Sequence, residues 1–251
     1  MLSSLMNPYN ILITLIFSFI FSSSCNEDIE AELFGLCYNI KTTVKLNLSG
    51  SGLAGEIPSD IGRFTNLHSL DLSNNRLSGE IPSGIGNLVK LDFLYLQDNQ
   101  LSGEIPNEIG QLIDLDRLFL SSNQLSGSIP SSIKNLINLK YLYLFKNNLS
   151  GEIPVSIGTL INLFKLDLSS NQFSGTIPPS IGNLTNLNSL RLFNNNFSGQ
   201  IPMSIGNLIR LEFLFLQNNF LTGEIPAELK QLENLKDMRL ENNQFENKIS
   251  K

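Results

Sequence analysis

The residues able to perform acid–base, nucleophilic or metal chemistry are few in this sequence. His68 is the single histidine, and its place at the edge of a predicted strand brings no aligned nucleophile that would build a catalytic triad. No cysteine or histidine cluster has metal-ligand spacing. The glycines mark repeat corners and not a phosphate-binding loop. We therefore expect no enzymatic activity, no metal and no cofactor.

Side chains suited to binding are more frequent, and they recur at intervals of 24 residues. Tyrosine and arginine are among the residue types that contribute most to the affinity of protein interfaces. A connected exposed patch of rings is also more than a monomer normally leaves to water. The candidate binding residues are Phe93, Tyr95, Arg117, Phe119, Tyr141, Tyr143, Phe145, Asp167, Arg191, Phe193, Phe213 and Phe215.

The same rings have a purely structural interpretation. Aromatic residues favour β-strands, and rings on neighbouring strands stabilise one another by about 0.2–1 kcal/mol per pair. The sequence therefore leaves two interpretations of the rings open, a ligand-binding face or strand packing.

The elements that position these residues are set by one strict repeat. An asparagine recurs every 24 residues without insertion, and such a fixed period indicates a stacked-repeat solenoid. A buried amide at each turn can satisfy backbone groups that the turn leaves unpaired. The predicted asparagine ladder is Asn75, Asn99, Asn123, Asn147, Asn171, Asn195, Asn219 and Asn243.

Each repeat is predicted to contribute one short strand and one tight turn. Leu94 and Leu96 alternate with polar or aromatic residues, which is the period-two pattern of a strand with one buried face. Strands from successive repeats run in the same direction and should form a parallel sheet about 4.8 Å apart. The Ile-Gly-x-Leu segment, as at Ile109–Leu112, is too short for a stable α-helix, so we expect a 3₁₀ turn.

The phrase LxxLxLxxNxLSGxIPxxIGxL, present at 67–88, 91–112 and 187–208, resembles the plant-type 24-residue leucine-rich repeat. Receptor-kinase ectodomains, polygalacturonase-inhibiting proteins and bacterial surface proteins carry this repeat. The resemblance implies an α/β-class solenoid, a right-handed curved superhelix with a concave parallel sheet, mostly 3₁₀ turns and loops on the convex side. It also implies that the concave sheet binds protein, peptide or glycan ligands without catalysis.

Three segments are predicted along the chain. Residues 1–24 contain an apolar run at 11–21 followed by three serines, which is typical of a secretory signal peptide. Residues 25–42 form a short acidic tether or cap. Residues 43–251 form the leucine-rich-repeat domain, with eight full repeats and a truncated ninth. We expect a monomeric protein that is secreted or on the cell surface.

The two cysteines, Cys25 and Cys37, have competing interpretations. The segment FSSSC resembles a bacterial lipoprotein processing site, in which Cys25 would carry a lipid and provide the only attachment to a membrane. In an exported protein Cys25 and Cys37 could instead form a disulfide that closes the N-terminal cap. Free thiols are the third interpretation, and the sequence does not decide among them.

The charge distribution bears on the type of partner. The formal charge of −6 is uneven, because four acids precede the first base at Lys41, and the remainder holds 17 bases and 19 acids. That balance argues against a nucleic-acid partner. The expected function is recognition of an extracellular protein, peptide or glycan. The alternatives are an inhibitor of an extracellular polysaccharide-degrading enzyme and a structural or adhesive spacer.

Overall fold

The structure of the protein is a computed structural model that describes residues 25–246. The predicted signal peptide at 1–24 lies outside the described residues, as do the last five residues. Among the described residues, no helix is long and apolar enough to cross a lipid bilayer.

A nine-stranded parallel sheet forms the concave face and confirms the prediction of one strand per repeat. Every strand pairs with the strand of the next repeat in a constant register, so that residues 24 apart lie side by side. The strands are Lys45–Asn47, Ser69–Asp71, Phe93–Tyr95, Arg117–Phe119, Tyr141–Tyr143, Lys165–Asp167, Ser189–Arg191, Phe213–Phe215 and Asp237–Arg239.

The opposite side of each coil is a single 3₁₀ turn, as expected from the short Ile-Gly-x-Leu segment. A proline precedes every turn in an extended conformation, and the isoleucine or leucine of the turn is buried. Leucines from the strands and isoleucines from the turns therefore share one continuous core. The turns are Ser59–Arg63, Ser83–Asn87, Asn107–Gln111, Ser131–Asn135, Val155–Thr159, Pro179–Asn183, Met203–Asn207 and Ala227–Gln231.

Two further parallel sheets were not predicted from the sequence. They form where the Ser-Gly segments of neighbouring repeats pair beyond the asparagine turn. Gly103 illustrates the constraint, because its φ is +74° and an added Cβ would lie 2.7 Å from the Glu80 Cγ atom. The additional strands are Ala54–Glu56, Arg76–Glu80 and Gln100–Ser102 in one sheet, and Ser150–Gly151, Gln172–Thr176, Asn196–Gly199, Phe220–Gly223 and Gln244–Phe245 in the other.

The asparagine column links each coil to the coil before it. Asn147, which is buried, accepts a hydrogen bond from the Leu125 N–H and donates to the carbonyls of Leu120 and Leu144, at 3.0, 3.0 and 3.1 Å. The seven other asparagines of the column make the corresponding bonds. The amides therefore pair buried backbone groups of two successive coils, as the sequence suggested.

A β-hairpin covers the N-terminal end of the core. Its strands are Glu30–Leu33 and Leu36–Asn39, which pair antiparallel. Ala31 and Leu33 are buried against the first coil. Cys25 and Cys37 are joined by a disulfide. A sulfur in this bond cannot also carry a lipid, so the structure favours the disulfide among the three interpretations.

The disulfide gives the first testable expectation. Protein exported by its native host should have an intact mass two hydrogens below that of the dithiol form and should react with iodoacetamide only after reduction. Intact-mass spectrometry before and after reduction measures both properties. A diacylglyceryl adduct on Cys25, or alkylation without reduction, would contradict the disulfide.

Candidate ligand-binding face

Two columns of side chains lie next to each other on the concave sheet, at the first and third positions of each strand. Rings of the third position contact one another across three consecutive strands. The ring centroids of Tyr95 and Phe119 are 5.0 Å apart, and those of Phe119 and Tyr143 are 4.5 Å apart. We call the resulting cluster the ring patch; its members are Phe93, Tyr95, Arg117, Phe119, Tyr141 and Tyr143.

Arg117 is held in place within the ring patch. Its guanidinium carbon lies 5.1 Å from the Phe93 ring centre and 5.3 Å from that of Tyr141, which are the neighbouring residues of the same column. The guanidinium also donates to the Tyr95 hydroxyl at 3.2 Å and lies 3.4 Å from an Asp116 oxygen. Contacts with rings on both faces fix the orientation of an arginine side chain. The terminal nitrogens therefore keep donors available at a fixed position.

The expectation that these columns are freely exposed is only partly correct. Tyr95, Phe119 and Tyr143 are half-buried, because rings on adjacent strands cover one another. Asp167 and Phe215 are buried, with 7% and 9% of their surface exposed. The rings therefore combine features of the two interpretations that the sequence left open: they pack against rings of neighbouring strands, and they keep an accessible outer surface.

A cavity of about 560 Å³ opens beside the ring patch, above the strand Lys165–Asp167 of the sixth repeat. We call it the repeat-six cavity. Ser169 of the sixth repeat occupies the position that Phe145 and Phe193 occupy in the neighbouring repeats, so the gap results from a local change of side-chain size. Its lining residues are Tyr143, Phe145, Lys146, Lys165, Leu166, Asp167, Ser169, Ser170, Ser189, Arg191, Phe193 and Asn194.

The floor of the cavity contains one buried acid. Asp167 accepts hydrogen bonds from the Ser169 N–H at 3.0 Å and hydroxyl at 2.5 Å, and the Arg191 guanidinium lies 3.9 Å away. Burial raises the pKa of the Asp167 carboxyl, although the Ser169 hydrogen bonds and the Arg191 charge act in the opposite direction. Burial also raises the pKa of the Tyr143 phenol, so its ring stays neutral at physiological pH.

The rim of the cavity is cationic. Lys146, Lys165 and Arg191 all line it, against the single carboxylate of Asp167. Among residues 25–246, neither lysine has a carboxylate oxygen within 4.0 Å of its amine. The cavity therefore presents net positive charge to the solvent side.

The remaining predicted residues take two positions. Phe145 and Phe193 form walls of the cavity. Phe213 and Phe215 lie further along the sheet, where the guanidinium carbons of Arg191 and Arg239 stack at 5.2 and 4.9 Å from the Phe215 ring centre. The structure thus groups the predicted residues into the ring patch, the repeat-six cavity and a separate phenylalanine pair.

In the part of the chain that the structure describes, no group of side chains is arranged as a catalytic site. The exposed His68 has its Nδ1 atom 3.0 Å from the Asn66 carbonyl, within its own turn. The one described cluster of three possible metal-ligand side chains is Cys25, Glu30 and Cys37, and both sulfurs are bonded in the disulfide.

One surface feature was missed at the sequence level. An apolar column on the flank of the solenoid, just after the 3₁₀ turns, is 46–58% exposed at Val89, Ile113, Ile137, Ile161 and Ile209. Asparagines beside it donate to the backbone carbonyl 25 residues earlier, as Asn138 does to Ile113 at 3.0 Å. The Asn-Leu dipeptide that precedes five of the strands, at 66–67, 138–139, 162–163, 186–187 and 234–235, was the available signal.

Stacked 24-residue coils, each with one parallel strand and one ladder asparagine, define a leucine-rich-repeat solenoid. The family described as "Leucine-rich repeat region" matches residues 118–251, and "Leucine Rich repeats (2 copies)" matches residues 65–108. The chain belongs to the leucine-rich-repeat family. A search of curated proteins finds no significant match.

Three solved structures show the range of similar proteins. The ectodomain of the Arabidopsis receptor kinase HAESA, in complex with an N-terminally extended IDA peptide hormone, is 43% identical with a TM-score of 0.74; the match covers 76% of this chain and 32% of that one. A leucine-rich-repeat protein of Leptospira interrogans is 34% identical, with a TM-score of 0.65 and coverage of 82% and 57%. A plant ice-binding protein is 27% identical, with a TM-score of 0.63 and coverage of 89% and 79%.

The similar structures differ in the ligands that their descriptions name. The chain spans about a third of the HAESA ectodomain, and the similar structures include a hormone receptor and an ice-binding protein. One fold therefore supports different ligands, and the choice among them depends on the side chains of the site.

Proposed function

We propose that this protein is an extracellular, non-catalytic recognition module that binds a peptide or a protein segment on its concave face. The observation that carries the proposal is the ring patch, in which Arg117 is held between two rings beside three rings in contact. Fixed aromatic and arginine side chains bind at low entropic cost and are frequent anchors of interfaces. The leader at 1–24, export and a monomeric state belong to the same proposal.

The similar receptors support this choice of ligand class. The HAESA ectodomain, which shares the repeat and 43% of the aligned residues, is described with a peptide hormone. Polysaccharide-enzyme inhibition and a purely structural spacer gain no comparable support, because no specific contact in the described residues favours either. Peptide or protein recognition is therefore the function to test first.

The test is selection of binders from an unbiased library. The exported chain is immobilised and exposed to an mRNA-display library of random 12-residue peptides that carry a photo-crosslinking residue. We expect enrichment of a peptide family whose cross-links fall on the strands Phe93–Tyr95, Arg117–Phe119 and Tyr141–Tyr143. Mass spectrometry of the cross-linked fragments locates them.

Two results would contradict the proposal. One is cross-linking confined to the flank column or to the 3₁₀ turns, which would place the recognition surface elsewhere. The other is a lack of enriched peptides together with binding to a different partner. Binding to a glycan array would favour a glycan ligand, and binding to an extracellular glycanase would favour the inhibitor alternative.

A further inference from the structure

The cations on the concave face follow a pattern that narrows the ligand class within the proposed function, on which this inference rests. Arg117 lies on the fourth strand of the sheet, Lys165 on the sixth and Arg191 on the seventh. The Phe119–Tyr143 ring pair begins on the strand of Arg117 and extends to the fifth strand, toward Arg191. The face thus has a cation, an apolar surface and a cationic cavity in that order along the solenoid axis.

The spacing of these features matches an extended peptide. Strands of a sheet are about 4.8 Å apart and a strand rises about 3.4 Å per residue, so the Cα atoms of Arg117 and Arg191, three strands and two positions apart, are separated by roughly 16 Å. The Cα atoms of residues four apart in an extended chain are roughly 14 Å apart, and the length of the long side chains covers the remaining distance. Side chains four residues apart in an extended peptide point to the same side, and so does the residue midway between them.

We propose that the concave face recognises an extended peptide segment of the form acidic-x-apolar-x-acidic. One carboxylate pairs with Arg117, the central apolar side chain lies on the Phe119–Tyr143 pair, and the second carboxylate enters the repeat-six cavity beside Lys165 and Arg191. The planar guanidinium of arginine matches a carboxylate with two parallel hydrogen bonds.

The available donors support the assignment of carboxylates. Arg117 uses one hydrogen bond on Tyr95, and its Asp116 neighbour is shared with Lys140. Lys146 and Lys165 have no carboxylate within 4.0 Å in the described part of the chain. Among the described residues, the carboxylate within 4.0 Å of the Arg191 guanidinium is that of Asp167, whose Oδ2 lies 3.9 Å away and whose Oδ1 accepts from Ser169. Three cations therefore surround one acid that is largely satisfied.

The main competing ligand with the same chemistry is an acidic polysaccharide. A polygalacturonate chain carries a carboxylate on each sugar, so it would place charges along the whole concave face. The concave face contains acids as well as cations: Asp71 lies on the second strand, and Asp237 lies beside Arg239 on the ninth. A ligand with two localised charges fits this alternation better than one with uniform charge.

The test uses capped synthetic peptides and fluorescence anisotropy with the exported chain. The first probe is fluorescein-Gly-Glu-Ser-Leu-Ser-Glu-Gly-amide. We expect measurable binding that weakens with added salt, a loss of about tenfold or more when both glutamates are glutamine, and a similar loss when the glutamates are three residues apart. Replacement of the leucine by serine should weaken binding to a smaller extent.

Protein variants test the same contacts from the side of the protein, with one control variant that removes a charge elsewhere. Arg117→Gln and Arg191→Gln should each weaken the acidic peptide about tenfold and leave the glutamine peptide unchanged. Asp167→Asn keeps an oxygen for Ser169, as Asn47 does for the Ser49 N–H at 3.0 Å, and should strengthen acidic-peptide binding. Arg210→Gln removes the same charge on the flank, where the guanidinium contacts Asn186. Its affinity for the acidic peptide should change only by a small long-range electrostatic effect.

Equal binding of the glutamate and glutamine peptides would overturn the inference, as would stronger competition by oligogalacturonate than by the acidic peptide. The proposed function has a separate outcome. If the random library yields peptides that cross-link to the concave face but lack the acidic spacing, recognition on this face stands and the acidic motif is wrong. If no peptide binds the concave face, both fail.

Discussion

A variant with serine at Tyr95, Phe119 and Tyr143 should bind the peptides selected by the wild-type protein at least about 100-fold more weakly, a loss of about 2.7 kcal/mol of binding free energy. The three rings form one contiguous surface through centroid contacts of 5.0 and 4.5 Å. Their removal eliminates the apolar area and also the Tyr95 hydroxyl that fixes Arg117. Titration calorimetry or anisotropy measures the loss.

The stability of this ring variant must be measured in parallel. Because the rings are half-buried, we expect the free energy of unfolding to fall by about 2–4 kcal/mol from lost pairing and lost burial. A matched control changes Ile113, Ile137 and Ile161 to serine. These residues belong to the same three repeats but lie exposed on the flank, so binding should be unchanged. Wild-type affinity in a folded ring variant would show that the rings serve strand packing alone.

The second large effect concerns the asparagine ladder. Asn147→Ala should lower the free energy of unfolding by about 2–4 kcal/mol, because the Leu125 N–H and the carbonyls of Leu120 and Leu144 lose their side-chain partner inside the protein. The loss falls at the interface between two coils. Stability of a repeat array depends on such nearest-neighbour interfaces, so the unfolding transition should also broaden. Urea denaturation followed by far-UV circular dichroism measures both effects.

Asn148→Ala is the matched control, since the same substitution is made one residue later at an exposed side chain. It should change the free energy of unfolding by less than about 0.5 kcal/mol. Equal midpoints for the two alanine variants would show that the buried amide does not stabilise the array.

Sequence alone determined the repeat architecture. A constant period of 24 residues sets the register of every neighbouring strand, so the period alone places Tyr95, Phe119 and Tyr143 side by side. The alternation of leucines fixed which side is buried, and the asparagine column fixed where the amides lie. These features belong to a single coil, and the same coil recurs along the stack. The local sequence pattern is therefore sufficient to predict them.

The tertiary structure decided how deeply each side chain lies and what surrounds it. Asp167 and Ser169 of the sixth repeat lie between the larger Tyr143, Phe145, Arg191 and Phe193 of the two neighbouring repeats, and this difference in side-chain size leaves the repeat-six cavity with Asp167 buried in it. Arg117 is held in place because rings from two other repeats stack on it. The Cys25–Cys37 disulfide closes the segment that contains the antiparallel N-terminal hairpin, a pairing that the sequence left open. Period and alternation assign a residue to a face, whereas depth, charge environment and pairing depend on contacts among residues far apart in the chain, which repeat-level sequence patterns do not contain.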